Sequence, residues 1–317
     1  MLSRLPKSTL VLIAFACVYS FWGSTYLAIH VAGEQLAVSV VSASRSTLSA
    51  VVIVLICLLS GRSLRVPRGE PWKLVLIGLL FMSANNMLLT WGEKLVPSGF
   101  ASLIISTMPI MIAILNGCLP GGEPMNKRGW LGTLLGTAGI VILVWPSLHR
   151  HVPQPGASHP LLGVAVLLGA ALSFAIGSVL SQRFHFRADT LVVTGWELGA
   201  AALFNWAVAF GSGAQHRSLW TLHGIESIFY LSIFGSIFGL VAFTYLLQNV
   251  AVTKVATYAF VNPVIAVLLG VFLLHERLAS TELAGMAVII CAVAMVVYSR
   301  VNRIPRTLAA GVGDPSE

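Results

Sequence analysis

The sequence predicts an all-α integral membrane protein: ten transmembrane helices arranged as two inverted five-helix repeats, with both termini cytoplasmic. Three observations predict it. Apolar residues make up 57% of the 317 residues and charged residues 9%, against about 25% charged in a soluble domain, so the chain cannot cover a core in water. Ten apolar runs are long enough to cross a bilayer, each needing roughly 20 residues. Those runs form two matching sets of five, and an odd repeat number turns the second set upside down.

Lipid offers backbone amides no water, so each run must be helical. The first covers 9–29. Arg4 and Lys7 precede it and Ala14-Phe15-Ala16 has a small-x-small form, but the apolar stretch before that site is too short for a secretory signal. The second, 36–59, carries Arg45, and the third, 73–91, carries Asn85 and Asn86. The fourth, 97–119, contains Pro109, and the fifth covers 129–146. A proline-bearing external connection, 147–160, leads to the sixth, 161–182. The seventh, 190–211, carries Glu197; the eighth covers 224–247; the ninth, 252–274, contains Pro263; the tenth covers 281–299. The units are therefore a first repeat at 1–150, a linker at 151–160, a second repeat at 161–300, and a cytoplasmic tail at 301–317 that is polar enough to be disordered.

A shift of 154 positions joins the halves: Gly23-Ser24 aligns with Gly177-Ser178, Thr90-Trp91 with Thr244-Tyr245, Val96 with Val250 and Pro109 with Pro263. Fixed-period similarity marks a repeat architecture. Inverted repeats recur in secondary transporters, with the substrate site where the halves meet. Orientation follows from Lys and Arg. With the N-terminus inside, Arg4, Lys7, Arg62, Arg65, Arg68, Lys73, Lys127, Arg128, Arg183, Arg187, Lys254, Arg300, Arg303 and Arg306 lie inside, and only Lys94, Arg150, Arg217 and Arg277 outside. The net charge of +8 is thus a topology signal and gives no argument for nucleic acid. The multi-pass chain belongs in the plasma membrane, the inner membrane of a prokaryote.

Arg45 and Glu197 lie deep in equivalent spans, near the midplane, and a shift of 152 puts them at matching positions. A lone charge there costs at least roughly 2.5–3.5 kcal/mol, so each must face the bundle interior, a partner or water. Arg45 then holds an anionic group of a substrate and Glu197 binds a cation or proton; alternatively the two form a structural ion pair. Trp22 and Tyr26, four apart, share a helix face, and with Asn85 and Asn86 they line a path or pack. Glu93 and Glu276 sit at span ends, as solvated or capping groups. Pro109 and Pro263 kink their helices as hinges or fixed shape. Glycine pairs 132/136, 195/199 and 235/239 suit close helix contact within the subunit or in a homodimer. Cys17, Cys57, Cys118 and Cys291 lack C-x-x-C spacing and read as buried, unreactive thiols.

Trp22-Gly23-Ser24-Thr25-Tyr26, the stretch from Val96-Pro97-Ser98-Gly99 to Pro109, and Val255-Ala256-Thr257-Tyr258 through Asn262-Pro263 to His275-Glu276-Arg277-Leu278 stand in order. Over about 8–299 the chain resembles the EamA-type carriers of the drug/metabolite transporter superfamily. Gly121-Gly122-Glu123-Pro124 departs from the pattern at one helix end. The resemblance implies a carrier of amino acids, metabolites or toxic compounds, and implies export. The expectation is a secondary active transporter of a small molecule, working by alternating access with proton coupling as an option and no cofactor. A membrane scaffold or receptor without a transport cycle explains the helices but not the polar midplane. An intramembrane enzyme is disfavoured: His149, His151 and His159 lack a spaced acidic partner, His275-Glu276 lacks the second histidine of H-E-x-x-H, and no phosphate-binding P-loop is present. No catalytic or metal residue is assigned.

Overall fold

The computed structural model describes residues 6–96, 101, 104–120, 125–149, 160–274 and 280–298. Among them every regular element is helical: α1 (Lys7–Gln35), α2 (Val38–Leu59), α3 (Pro71–Gly92), α4 (Met108–Cys118), α5 (Lys127–His149), α6 (Pro160–Phe184), α7 (Thr190–Gly211), α8 (Leu222–Asn249), α9 (Tyr258–Leu274) and α10 (Ser280–Tyr298). Of these, α1, α2, α3, α6, α7 and α8 are long and apolar enough to cross a membrane. The chemistry of their starts is local. Pro71 opens α3 where its missing amide costs nothing, while Asp189 caps α7 through the Leu191 amide and Thr221 caps α8 through that of Gly224.

Two features depart from uninterrupted helices. α3 contains a π-helical stretch at Leu79–Asn85, and α8 one at Leu231–Leu240. Shifted by 154, the first falls inside the second. The expected fourth and ninth spans are each broken. A turn at Ser106-Thr107 precedes α4, and a turn at Ala256-Thr257 separates a short helix, Val252–Val255, from α9. At each break a threonine hydroxyl satisfies a carbonyl three residues back, Thr107 to Ile104 and Thr257 to Lys254, both at 2.7 Å. Pro109 therefore sits in the first turn of α4, where it breaks no intrahelical bond, whereas Pro263 lies inside α9.

The packing has an exchange pattern. α1 packs on α8 and α9, and α6 packs on α3 and α4. α2 packs on α7 and α8, and α7 packs on α2 and α3. α5 and α10 pair. Exchanging each helix with the one five places on reproduces these contacts. The equivalent helices also run antiparallel. Along α2 and α7, Thr47 meets Trp206 while Ile53 meets Gly195; along α5 and α10, Gly132 meets Val296 while Gly139 meets Ile289.

Of the glycine pairs, Gly132 and Gly136 abut α10 and α9, and Gly235 and Gly239 abut α2 and α1, all within the subunit. Gly199 differs, with nothing within 4 Å of where a Cβ would stand. The cysteine expectation needs correction. Only Cys57 is buried, Cys17 is half-buried, and Cys118 and Cys291 are exposed on the outside of the bundle, because these helices turn apolar side chains outward as well as inward.

Candidate functional site

Arg45 is the centre of the site. It lies seven residues past Val38 in the 22-residue α2 and is 7% exposed. The π-helical stretch of α8 receives it. Arg45 Nε donates to Ser236 Oγ at 2.7 Å, and its backbone carbonyl accepts from Ser49 at 2.8 Å and from Ser232 at 3.2 Å. Gly235 makes room for the guanidinium, since a Cβ there would stand 2.8 Å from Nη2. Trp22 Nε1 closes the other side of that turn by donating to the Gly235 carbonyl at 2.8 Å. No carboxylate pairs with Arg45 among the described residues.

The guanidinium borders a cavity of about 70 Å³ lined by Trp22, Thr25, Asn85, Asn86, Phe174, Tyr258 and Asn262, among others. Helices from both halves contribute, which is why distant segments converge here. Of the residues the sequence singled out, Trp22, Arg45, Asn85 and Asn86 come together at this cavity. The side chain of Tyr26 lies outside the described residues. Asn85 Nδ2 donates to the Ala170 carbonyl at 3.2 Å, while the Asn86 amide makes, among the described residues, a thioether contact alone, to Met82 at 3.6 Å. Asn262 Oδ1 is buried without a partner among the described residues. Buried polar atoms normally find partners, so these groups suit a polar ligand.

Trp22, Phe174 and Tyr258 form one apolar wall, backed by Phe81 and Phe243, with ring centroids 4.6 Å apart for Phe81–Phe174 and 4.8 Å for Trp22–Tyr258. Sequence reasoning missed Phe174, Tyr258 and Asn262. The rule that found Asn85, a polar group inside an apolar span, would have found Asn262. Phe174 carries no such signal.

Glu197 lies elsewhere. It is fully buried, both carboxylate oxygens lack a partner among the described residues, and it makes no ion pair with Arg45. The reason is the antiparallel pairing. Glu197 lies seven residues past Thr190 in the 22-residue α7, as Arg45 lies seven past Val38 in α2. Equivalent positions in antiparallel helices fall on opposite sides of the middle, here on the order of 10 Å apart at 1.5 Å per residue. The backbones are seated alike. A Cβ on Gly78 of α3 would stand 2.2 Å from the Glu197 carbonyl oxygen, and position 78 is the repeat equivalent of Ser232, which bonds the Arg45 carbonyl.

Glu93, expected to be solvated or a cap, is instead 8% exposed, with neither oxygen partnered among the described residues. It follows the last turn of α3 on the face that carries Asn86 and Leu89, because seven- and four-residue spacings repeat on a helix. At the opposite end of the bundle Gln182 ties α6 to the connection after α8. Its Nε2 donates to the Val250 carbonyl at 2.7 Å and its Oε1 accepts from the Val252 amide at 3.2 Å. Glu276, and the side chains of His149, His151 and His159, lie outside the described residues.

The comparisons with known proteins agree with this architecture. The EamA-like transporter family matches twice, over residues 9–145 and 161–298. The chain is 30% identical over 288 residues to the uncharacterized inner membrane transporter YedA of Escherichia coli K12, covering 90% of each. It is 25% identical to the uncharacterized transporter YvbV of Bacillus subtilis over 99% of each chain. A WAT1-related chloroplastic protein of Arabidopsis thaliana is 27% identical over 90% of this chain and 68% of its own length. A solved crystal structure superposes with a TM-score of 0.75 over 92% of this chain and 96% of its own, at 23% identity, a likeness of fold.

Proposed function

Because the chain belongs to the EamA-like transporter family, a family of membrane transporters, we propose that it is a secondary active carrier that exports a small metabolite or amino acid by alternating access. Ten spans in two inverted halves, with both termini cytoplasmic, rock about a site at their meeting surface. The antiparallel run of α2 against α7 and of α5 against α10 supports the inversion. The lysine and arginine distribution supports the orientation.

One observation carries the substrate reading: Arg45 is buried beside a cavity shared by both halves and has no carboxylate partner among the described residues. A permanent cation so placed is stabilised by an anionic group, so Arg45 receives the substrate's acidic end. Asn85, Asn86 and Asn262 hydrogen-bond its polar atoms, and Trp22, Phe174 and Tyr258 hold its apolar part. About 70 Å³ is small beside the roughly 300–1,000 Å³ of open ligand pockets, which fits a contracted stage of the cycle. The aromatic wall of Trp22, Phe174 and Tyr258 then bounds that contracted site. Pro109 and Pro263 serve as fixed bends or hinges beside the breaks in the fourth and ninth spans.

Glu197 is the coupling site in this reading. An unpaired carboxylate at membrane depth is costly, and binding a proton removes its charge. Flux in proteoliposomes tests both assignments, with labelled amino acids and small metabolites loaded inside, with and without a pH gradient. Saturable flux falls by roughly ten- to a hundredfold in Arg45→Ala, the loss of one charged hydrogen-bonded partner. In Glu197→Gln the flux persists but no longer responds to the pH gradient. Unchanged flux in Arg45→Ala, with insertion intact, overturns the site. Native pH dependence in Glu197→Gln overturns the coupling assignment.

A further inference from the structure

A second cavity, on the outside of the bundle, has no part in that cycle. Beside the contact of α2 with α7 lies an apolar groove of about 580 Å³, lined by Thr47, Val54, Gly195, Gly199, Leu203 and Trp206 with neighbours from α3 and its preceding loop. Its floor is open: nothing stands within 4 Å of a Cβ at Gly199, while Leu203 on the rim is 78% exposed. Along α7 the groove runs from Gly195 to Trp206, roughly 16 Å at 1.5 Å per residue.

The loop that borders one end of the groove is basic. Leu64, in the loop between α2 and α3, lines it and accepts a hydrogen bond from Trp196 Nε1 at 3.0 Å. Arg65 follows directly, and Arg68 stands three residues on; both are exposed. Neither has an acidic partner among the described residues. Arg62, in the same loop, is paired with Asp189 and so is already neutralised.

We propose that this groove is a binding site for one anionic phospholipid, with an acyl chain laid along α7 beside α2 and its phosphate on Arg65 and Arg68. The charge selects the occupant. A zwitterionic lipid brings a phosphate but no net negative charge to the two guanidinium groups, whereas an anionic lipid neutralises one of them. A second copy seated here about a two-fold axis normal to the membrane brings the same cationic loops together, which repel. The lipid would press on α7 at Gly195 and Gly199, whose side of the helix is opposite to Glu197, since two residues of helix turn about 200°.

The full-length chain in detergent tests this, by native mass spectrometry and thermal unfolding with added phosphatidylglycerol, phosphatidylcholine or inorganic phosphate. The expected result is one retained phosphatidylglycerol and a rise in melting temperature that phosphatidylcholine and phosphate do not give. Arg65→Gln with Arg68→Gln weakens retention roughly ten- to thirtyfold, since each basic residue near an anionic surface contributes on that scale. Gly199→Leu abolishes it by filling the groove, and the open space there lets the variant fold, which its unfolding in phosphatidylcholine verifies. Equal retention of both lipids, retention unchanged in either variant, or an equal rise with phosphate overturns the proposal. So does a native dimer that Gly199→Leu converts to monomer, which would give the groove to a second copy.

Discussion

At the scale of single residues, the site depends on what the neighbours lack. Arg45 keeps its place because position 235 has no side chain. A methyl group there would stand 2.8 Å from Nη2, closer than van der Waals contact allows, so Gly235→Ala moves the guanidinium off Ser236 while its charge remains. We expect the substrate's apparent KM to rise about tenfold with insertion intact, one hydrogen bond's worth of binding, measured by initial-rate flux. Gly78 is the counterpart in the other half, but there the obstructing atom is the backbone oxygen of Glu197 at 2.2 Å. Backbone yields less readily than a side-chain tip. Gly78→Ala should lower stability by about 1–3 kcal/mol, the usual cost of overpacking, with Gly199→Ala as the neutral control in thermal unfolding. Arg45 was legible in the sequence because a charge in an apolar run is conspicuous. Its lack of a partner was not legible, because a shift of 152 gives equivalence in the repeat and says nothing about depth. Only the antiparallel packing puts the equivalent residues on opposite sides of the middle.

At the scale of elements, the helices were legible and their irregularities were not. Hydropathy reports length and apolarity, so the spans that became α2 and α7 stand within two residues of their expected bounds. It does not report hydrogen-bond register. The π-helical stretches in α3 and α8 contain no proline, and the Ser106-Thr107 turn lies upstream of Pro109 rather than at it. Each feature serves the site: the widened turn of α8 supplies Ser232, Gly235 and Ser236 to Arg45, and that of α3 ends at Asn85. The end of α3 carries a further consequence. Burial pushes the Glu93 carboxyl, just past the helix, up to about 8. The folded protein then holds a proton that the unfolded chain releases in the ordinary carboxylate range, so stability is full below that range and is lost as pH rises through about 8. Melting temperature in detergent should fall across this window, and Glu93→Gln should flatten the fall. A native profile that Glu93→Gln leaves unaltered would place the titration elsewhere.

At the scale of the whole molecule, the exchange pattern and the charge asymmetry bear on different questions. Packing shows that α2 and α7, and α5 and α10, run antiparallel, which fixes the halves relative to one another whichever way the molecule sits in the bilayer. Only the basic residues orient it. The loop after α2 carries Arg62, Arg65 and Arg68, while the loop after α7 carries Arg217. These loops leave equivalent helices, so inversion requires them on opposite faces, and the positive-inside rule assigns the first to the cytoplasm. Single cysteines at exposed Ser63 and Ser212, in a chain whose four native cysteines are replaced by alanine, separate the two arguments. A membrane-impermeant maleimide added to intact cells should label Ser212→Cys and spare Ser63→Cys until the membrane is opened. The reverse pattern would preserve the inversion and overturn the orientation, and with it the direction of export. Labelling of both from one side would sink the inversion itself, and Arg45 and Glu197 would then lose their equivalence as mirrored sites in one alternating cycle.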